Sequence, residues 1–316
     1  MSKAFASSDD LGDRAIAFDQ IGPGLYAYTA EADPSSGVIV GDDACMVVDA
    51  QPTPAMAADL VARVARVTDK PIRYVLLTHY HAARTLGASA FAGASILASD
   101  ATRGLIAERG KQDMDSEIGR FPRLFRAADA IPGLTWPSVT FPDQVSVWLG
   151  RREVRIMHIG RGHTAGDVIA AVPDCGAVFA GDIVASACAC SGGDAHFTDW
   201  PQTLDILAEM QPAVLLPGRG AALVTPEAVR AGIDATAVFL QTLYGSVQDS
   251  VAKGRSLKDA FDFVRLAMDP TYRSLPLYEH TLPFNVSRAY EEARGIEWPT
   301  IWTPERDREM WAALQG

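Results

Sequence analysis

Two histidines at the end of an apolar run constrain this chain most. The run Tyr74–Leu77 predicts a short buried strand, and Thr78, His79, Tyr80 and His81 follow it directly. Two imidazoles spaced by one residue at a strand end can both face a single ion, which is a metal-ligand arrangement. Two hydrogen-bonded side chains would explain such a pair equally well, so a metal site requires further ligands elsewhere in the chain.

Two later segments supply such ligands. Residues 162–167 place His163 in a turn flanked by glycines, and residues 178–182 form an apolar run that ends on the carboxylate of Asp182. Each potential ligand follows a strand-like run, as in sites where strand ends meet around an ion. The sequence therefore predicts a metal site that consists of His79, His81, His163 and Asp182.

These motifs resemble the signatures of the metallo-β-lactamase-like hydrolase superfamily. Its first signature, Thr-His-x-His-x-Asp-His followed by Gly, corresponds to residues 78–84 and Gly87. Gly-His-Thr-x-Gly-Asp is intact at 162–167, and the strand-terminal Gly-Asp is intact at 181–182. Asp49 matches an acidic residue that the family keeps beside the site. The resemblance covers residues 20–225 and implies an α/β fold, the four-layer αββα sandwich.

The chain departs from the family at the second metal site. Family members with two metals hold the first ion with three histidines and a bridging aspartate. The motif aspartate, the last motif histidine and the histidine of a Pro-Gly-His-Gly turn belong to the second ion, and here these positions are Ala83, Arg84 and Arg219. The resemblance therefore implies one divalent ion, with two guanidinium groups near the place of the second. Nitrogen-rich ligation favours Zn²⁺, with Fe²⁺ or Mn²⁺ as alternatives.

Two interpretations of Arg84 and Arg219 are open. They could bind a carboxylate or phosphoryl group of the substrate and stabilise a developing oxyanion. They could instead pair with Asp182 or Asp194 and fill the vacated space. We favour the first interpretation, because an uncompensated buried arginine is costly and a substrate anion is a natural partner.

Proton delivery to the leaving group has no assigned residue once position 83 is alanine. Tyr80 and His196 are the candidates, and His280 is a weaker one because it depends on the C-terminal helices covering the site. The predicted catalytic residues are therefore Asp182, Arg84, Arg219, His196 and Tyr80.

Three functions are compatible with this set. The leading one is a mononuclear hydrolase that uses a metal-bound hydroxide on a small anionic ester, lactone, amide, thioester or phosphoester. The second is a mononuclear non-haem iron oxygenase, because His79, His163 and Asp182 alone form a two-histidine-one-carboxylate triad at positions that match the superfamily's persulfide dioxygenases. The third is a metal-free binding protein in which Arg84 and Arg219 neutralise Asp182.

Composition narrows the class of partner. A net charge of −11 and a pI of about 5.0 disfavour nucleic acid or an anionic membrane, so we expect a small-molecule substrate. Met1–Arg14 lacks the apolar core of a signal peptide, and no run is long enough to span a bilayer. The four cysteines show no disulfide framework, which favours a cytoplasmic location.

The order of elements predicts two regions. Alternating strands and helices over residues 15–225 predict the αββα domain, with a helical insertion at about 101–142. Among these elements are a strand at 45–48 and a helix at 54–69. From 226 to 316 the pattern is helical, with helices predicted at 226–253, 256–268, 286–294 and 304–314, and these form a C-terminal helical extension that packs on the domain. The tryptophans of this extension could also support a homodimer.

Overall fold

The computed structural model describes residues 4–315, so the first three residues of the N-terminal segment considered above lie outside it. Its helices are α1 (Pro54–Val67), α2 (Ala82–Thr85), α3 (Asp100–Arg120), α4 (Trp200–Glu209), α5 (Pro226–Ala252), α6 (Leu257–Tyr272), α7 (Tyr278–Ala293) and α8 (Pro304–Gln315). Its strands are β1 (Ala17–Gly22), β2 (Leu25–Thr29), β3 (Ser36–Val40), β4 (Cys45–Val48), β5 (Ile72–Leu76), β6 (Ser95–Ser99), β7 (Val139–Phe141), β8 (Gln144–Leu149), β9 (Arg152–Met157), β10 (Ile169–Val172), β11 (Ala177–Ala185) and β12 (Val214–Arg219). Among the helices in this range, none has both the length and the apolarity needed to cross a membrane.

Two sheets form the centre of the fold. Strands β1 to β7 make the first sheet in sequence order, antiparallel from β1 to β4 and parallel from β4 to β7. The second sheet has the order β12-β11-β10-β9-β8, and only β11 and β12 are parallel among its described strand pairs. Strands β4 and β10 are buried along their whole length, as expected where both faces of a sheet are covered.

Apolar clusters define the layers. Met46 and Leu76 of the first sheet pack with Phe179 and Leu216 of the second, which forms the core between the sheets. The outer face of the first sheet packs on α1 and α3, and the outer face of the second packs on α4 and the C-terminal helices. Helix, sheet, sheet and helix follow one another, so the predicted αββα fold with a helical C-terminal region is confirmed.

The structure corrects the predicted elements at two places. The insertion is helical only as far as Arg120, and β7 within it joins the parallel edge of the first sheet. Helix α7 begins at Tyr278, although the sequence predicted a start at residue 286. Pro283 lies inside this helix and lacks an N–H group, which made the segment resemble a helix break. Burial of residues 280–289 along α7 compensates for the missing hydrogen bond.

Candidate metal centre

The three predicted histidine ligands converge although they come from distant segments. His79 and His81 follow β5, and His163 lies in the loop between β9 and β10. One nitrogen of each ring lies within 4.8 Å of the other two. The side chains are almost fully buried, with exposed fractions of 1% for His79 and His163 and 9% for His81. The protein therefore brings three imidazoles together in a pocket shielded from water.

Asp182 of β11 lies next to this group. Its Oδ2 is 3.9 Å from His79 Nε2 and 3.5 Å from His163 Nε2. The preceding Gly181 has a φ of 54°, and a Cβ at this position would lie 2.7 Å from Thr78 Oγ1. Glycine at 181 thus permits the close approach that directs the Asp182 carboxylate at the histidines.

Each ring is held from its far side. Thr78 Oγ1 donates to Asp49 Oδ2 at 2.9 Å, and its one proton is then used, so it accepts from His79 Nδ1 at 3.0 Å. His81 Nε2 donates to Asp194 Oδ2 at 3.1 Å, and His163 Nδ1 donates to the Ser191 carbonyl at 2.6 Å. The remaining nitrogens, His79 Nε2, His81 Nδ1 and His163 Nε2, all point a lone pair inward. Such outer hydrogen bonds orient histidines that bind metal.

The inward nitrogens require a cation between them. His81 Nδ1 and His163 Nε2 are 2.9 Å apart, and two lone pairs at this distance repel unless a proton or a metal ion lies between them. Without an ion, a proton fills this place: burial opposes it, but the charges of Asp113, Asp194 and Glu117 outweigh burial and raise the pKa of His81 to about 9. A divalent cation would displace this proton.

The protonation states of the other groups fit a metal ligand set. Burial lowers the pKa of His163 to about 4 and that of His79 well below its usual value, so both rings are neutral. Burial alone would raise the pKa of Asp182, but Arg84 and the two histidines hold it well below its usual range. Neutral imidazoles beside an ionised carboxylate are the form in which these residues bind a divalent ion.

Arg84 is paired with Asp182. The guanidinium is fully buried, and its Nη2 donates to Asp182 Oδ1 and to the Gly218 carbonyl, while Nη1 donates to the Ser35 carbonyl at 3.0 Å. A Cβ at Gly218 would overlap Asp182 Oδ1, which explains the glycine in the Pro-Gly-Arg-Gly turn. This geometry matches the second interpretation of Arg84, in which it neutralises Asp182. It does not support the argument that Arg84 needs a substrate anion for compensation.

Arg219 has a different environment. It ends β12, and its Nη1 donates to the Ala32 carbonyl at 2.6 Å. Its Nε is buried and has no hydrogen-bond partner among residues 4–315. Arg219 and His81 line the same small pocket, so a guanidinium does adjoin the candidate metal centre.

The two predicted proton donors lie apart from each other. The Tyr80 ring is 4.4 Å from the His81 ring, and burial together with Asp194 raises the pKa of Tyr80 well above its usual value, so its hydroxyl stays protonated. The ring of His196 packs edge-on against the ring of Trp298, with 5.7 Å between their centroids. Among residues 4–315, His196 is not one of those that line the pocket beside His81. The structure brings Tyr80 to the histidine cluster but gives His196 an environment of its own.

Sequence reasoning missed several residues that support the ligands. It considered Asp194 only as a partner for arginine, whereas the structure pairs it with His81 and with Arg109 at 3.3 Å. It assigned no role at the site to Asp113 or Glu117. Both accept backbone N–H groups of the ligand loop. Acidic residues four apart on an otherwise half-buried helix were the available signal.

Comparison with known proteins supports the same fold. A family model described as the metallo-beta-lactamase superfamily matches residues 31–219, more than half of the chain. The metallo-beta-lactamase from Pontibacter korlensis is 18% identical with a TM-score of 0.57, over 72% of this chain and 99% of that one. The metallo-beta-lactamase from Erythrobacter litoralis is 18% identical with a TM-score of 0.54, over 71% and 99%.

A longer protein covers more of the chain. A double mutant of the sec-alkyl sulfatase PisA1 is 14% identical with a TM-score of 0.69, over 89% of this chain and 50% of that one. A search of curated protein sequences gave no significant match. At these identities the structural matches show the fold alone. The matched family and the three-histidine group together indicate a metal-dependent, hydrolase-type function. The chain belongs to the metallo-beta-lactamase superfamily.

Proposed function

We propose that this protein is a hydrolase that holds a single divalent ion with His79, His81, His163 and Asp182. One observation carries the proposal: three buried imidazoles are fixed from outside so that their free lone pairs converge beside a carboxylate. His79 Nε2 is buried without a hydrogen-bond partner among residues 4–315, although buried polar atoms are nearly always paired, so an ion is its natural partner. The donor set fits zinc, and a transition metal of similar size is an alternative.

The surrounding residues position this ligand set. When bound, a divalent ion at such a site lowers the pKa of water from 15.7 to about 7 and supplies a nucleophile at neutral pH. Asp49 holds Thr78 by a hydrogen bond, and Thr78 in turn accepts a hydrogen bond from His79. Asp194 accepts a hydrogen bond from His81 directly. Both aspartates fix the ring orientation that the ligand set needs. The buried walls exclude bulk water, which strengthens every charge interaction in the pocket.

Arg84 supports the assignment of one ion. It contacts Asp182 Oδ1, while Asp182 Oδ2 faces the histidines. A second cation beside Asp182 would have to displace a guanidinium that two backbone carbonyls also hold. The positions that would ligate this second ion in relatives are alanine and arginine here.

The proposed substrate is a small anionic ester, lactone, amide, thioester or phosphoester. Arg219 supports this class, because its buried Nε has no partner among residues 4–315 and the residue lines the pocket beside His81. The likeness to a sec-alkyl sulfatase adds short alkyl sulfates to the substrates worth testing.

The decisive measurement is metal content combined with a substrate panel. Protein purified without added metal is analysed by inductively coupled plasma mass spectrometry, and hydrolysis of each ester class is followed before and after chelation. We expect about one equivalent of zinc, and activity that disappears on chelation and returns with one equivalent. The variant His163→Ala serves as the ligand-deficient control. Two equivalents would contradict the single-ion assignment, and iron with oxygen uptake would support the oxygenase.

A metal-free binding protein is the second candidate, because Arg84 already neutralises Asp182. In this case the protein would contain no metal when isolated from zinc-replete cells, and added zinc would not bind at micromolar concentration. Isothermal titration with zinc separates the two candidates, since only the hydrolase predicts stoichiometric binding.

A further inference from the structure

A small pocket lies between the candidate metal centre and helix α7. His81 and Arg219 line it on the side of the sheets, and His280 and Phe284 line it on the side of α7. It leaves about 30 Å³ for the centres of water-sized atoms. A cavity that holds one water needs only about 10–15 Å³ of occupied volume, so this space admits a small polar group.

His280 has no hydrogen-bond partner in this pocket. Its side chain is 2% exposed, and neither ring nitrogen meets a donor or acceptor within residues 4–315. Arg219 also lines the pocket, and its Nε is buried without a partner in the same range. Buried polar groups are nearly always paired, and an unpaired group in a native structure calls for a ligand or water.

Packing does not explain a histidine at position 280. Aromatic rings surround it, with centroid distances of 4.4 Å to Phe121, 5.6 Å to Phe284, 6.0 Å to Trp311 and 6.2 Å to Phe5. A phenylalanine would fill this space without leaving two polar atoms unsatisfied. An unpaired polar side chain in apolar surroundings is typical of a functional position.

The charges around the pocket favour an anion next to His280. Burial, together with Arg120 and Arg219, lowers the pKa of His280 well below its usual value, so its neutral ring offers one N–H donor. Arg120 and Arg219 are the cations that line the pocket near this ring. An anion would be attracted by both guanidinium groups and would accept hydrogen bonds from the two unpaired donors.

Three acidic residues also line the pocket, and each is already engaged. Burial and Glu117 raise the pKa of Asp113, and its Oδ2 accepts the Ala82 N–H at 2.6 Å. Glu117 accepts the Ala83 N–H at 2.7 Å, and Asp194 accepts from His81. Their acceptor groups are therefore directed at the ligand loop.

Two further cavities adjoin the pocket on the side of Leu277. Leu277 and His280 also line an open cavity of about 370 Å³ between the N-terminal segment and the start of α7. Leu277 and Arg219 also line a small cavity of about 10 Å³, so Leu277 borders all three spaces. Leu277 has a φ of 65°, a strained conformation for a leucine, at the N-cap of α7. Such strain is often found at functional positions.

We infer that this pocket is a subsite for a carboxylate group of the substrate, bound by Arg219 Nε and the His280 ring N–H and reached past Leu277. The two oxygens of a carboxylate match the two unpaired donors, whereas sulfate and phosphate carry four oxygens. The inference rests on the proposed function, because it takes the pocket as part of the substrate site.

The test uses the full chain labelled with ¹⁵N-histidine, whose six histidines give separate ring signals in nuclear magnetic resonance spectra. Zinc is added first, and shifts of the His79, His81 and His163 signals test the metal site. Formate, acetate and sulfate are then titrated separately. We expect formate and acetate to shift the His280 signals saturably, with sulfate at least tenfold weaker. Zinc shifts without a saturable formate shift would overturn the subsite and leave the proposed function intact.

Variants identify the binding groups. His280→Phe suits the aromatic surroundings and should fold, and it identifies the His280 signals by their loss. Formate binding to this variant is followed through the ring signal of His81, and its dissociation constant should rise at least fivefold. Arg219→Gln should weaken binding by a similar factor, while Arg126→Gln, which removes an exposed arginine, should not. If Arg219→Gln does not fold, formate binding to His280→Phe alone decides whether the subsite exists. An unchanged dissociation constant in His280→Phe, or sulfate binding as tight as formate binding, would contradict the assignment.

Discussion

Individual side chains decide whether the three histidines can bind an ion. Asp194 determines the protonated nitrogen of His81, and it is itself held by Arg109. Burial opposes its ionisation, but the hydrogen bond and charge of His81 together with Arg109 hold the pKa of Asp194 at about 2. A charged acceptor is therefore fixed behind the ligand, which raises the basicity of the nitrogen that faces the site.

Replacing Asp194 with asparagine should weaken metal binding. The substitution keeps the shape but removes the charge behind His81, so we expect the zinc dissociation constant to rise about 10- to 100-fold. Competition with a chromophoric chelator measures this constant. Asp234→Asn is the matched control, because Asp234 pairs with Arg230 on an exposed helix surface. Equal zinc affinity in the two variants would show that Asp194 does not orient His81.

Replacing Arg84 with methionine should have opposite effects on the metal-free and the zinc-bound protein. Without zinc, Asp182 would be a buried carboxylate without its main partner, which costs about 3–5 kcal/mol of unfolding free energy. Bound zinc would compensate Asp182, so the loss should shrink and zinc affinity should rise. Urea unfolding with and without zinc measures both effects. Arg151→Met, at an exposed pair with Asp42, should change neither. An equal loss with and without zinc would mean that Arg84 does not compete with the ion.

Among the elements, α3 supports the ligand loop. The first N–H groups of a helix have no partners inside it, and those of α2 follow His81 directly. Asp113 Oδ2 accepts the Ala82 N–H at 2.6 Å and Glu117 Oε2 accepts the Ala83 N–H at 2.7 Å. The insertion thus fixes the start of α2, and with it the position of Arg84.

Asp113 makes the stability of the metal-free protein depend on pH. Its folded pKa of about 8 lies above the ordinary value of 3.8, chiefly because of burial. The folded protein therefore keeps a proton that the unfolded chain loses, and this contribution to stability disappears as pH rises from about 4 to 8. The asparagine in Asp113→Asn cannot ionise. The free energy of unfolding of this variant should therefore increase with pH relative to that of the unsubstituted protein, by up to about 1.4 kcal/mol per pH unit. Urea unfolding between pH 5 and 8 measures the difference, and parallel curves would contradict it.

The whole molecule is held by a core that both predicted regions share. One apolar cluster joins Val178 and Leu215 of the second sheet to Leu243 of α5, Phe261 of α6 and Trp311 of α8. The sheet face that α5 to α8 cover would be exposed without them. Burial of this face is a major source of folding free energy, because apolar area removed from water stabilises the folded state.

Deleting residues 226–316 should therefore prevent cooperative folding. We expect the shortened chain to lose its near-ultraviolet circular dichroism and to show no sharp thermal transition, because the outer face of the second sheet becomes solvent-exposed. A full-length chain cut at a protease site inserted after Val224 is the control, since it retains both parts. Cooperative melting of the shortened chain would show that residues 4–225 form an independent core.

Much of the fold could be predicted from local pattern. The strand Cys45–Val48 matched its predicted bounds, and the helix from Pro54 was predicted to within two residues. Apolar periodicity and helix-start signals depend on neighbours in sequence, so they are visible without coordinates. The start of α7 was missed because a proline in a helix is tolerated only when burial elsewhere compensates, and burial is a property of the folded chain.

In the candidate site, as in the fold, the sequence specifies some features and the tertiary structure decides the others. The sequence alone determined the candidate ligands and their order, since His79 and His81 follow an apolar run, His163 lies in a turn flanked by glycines and Asp182 ends another apolar run. Only the tertiary structure decided which groups complete the site: Arg84 pairs with Asp182, Asp194 with His81, and α7 brings His280 over the pocket. These pairings join residues about 100 or more positions apart, and short-range sequence pattern does not specify which distant side chains share a buried space. Desolvation then makes each such pairing strong, because a charge or donor removed from water must find its partner inside the protein.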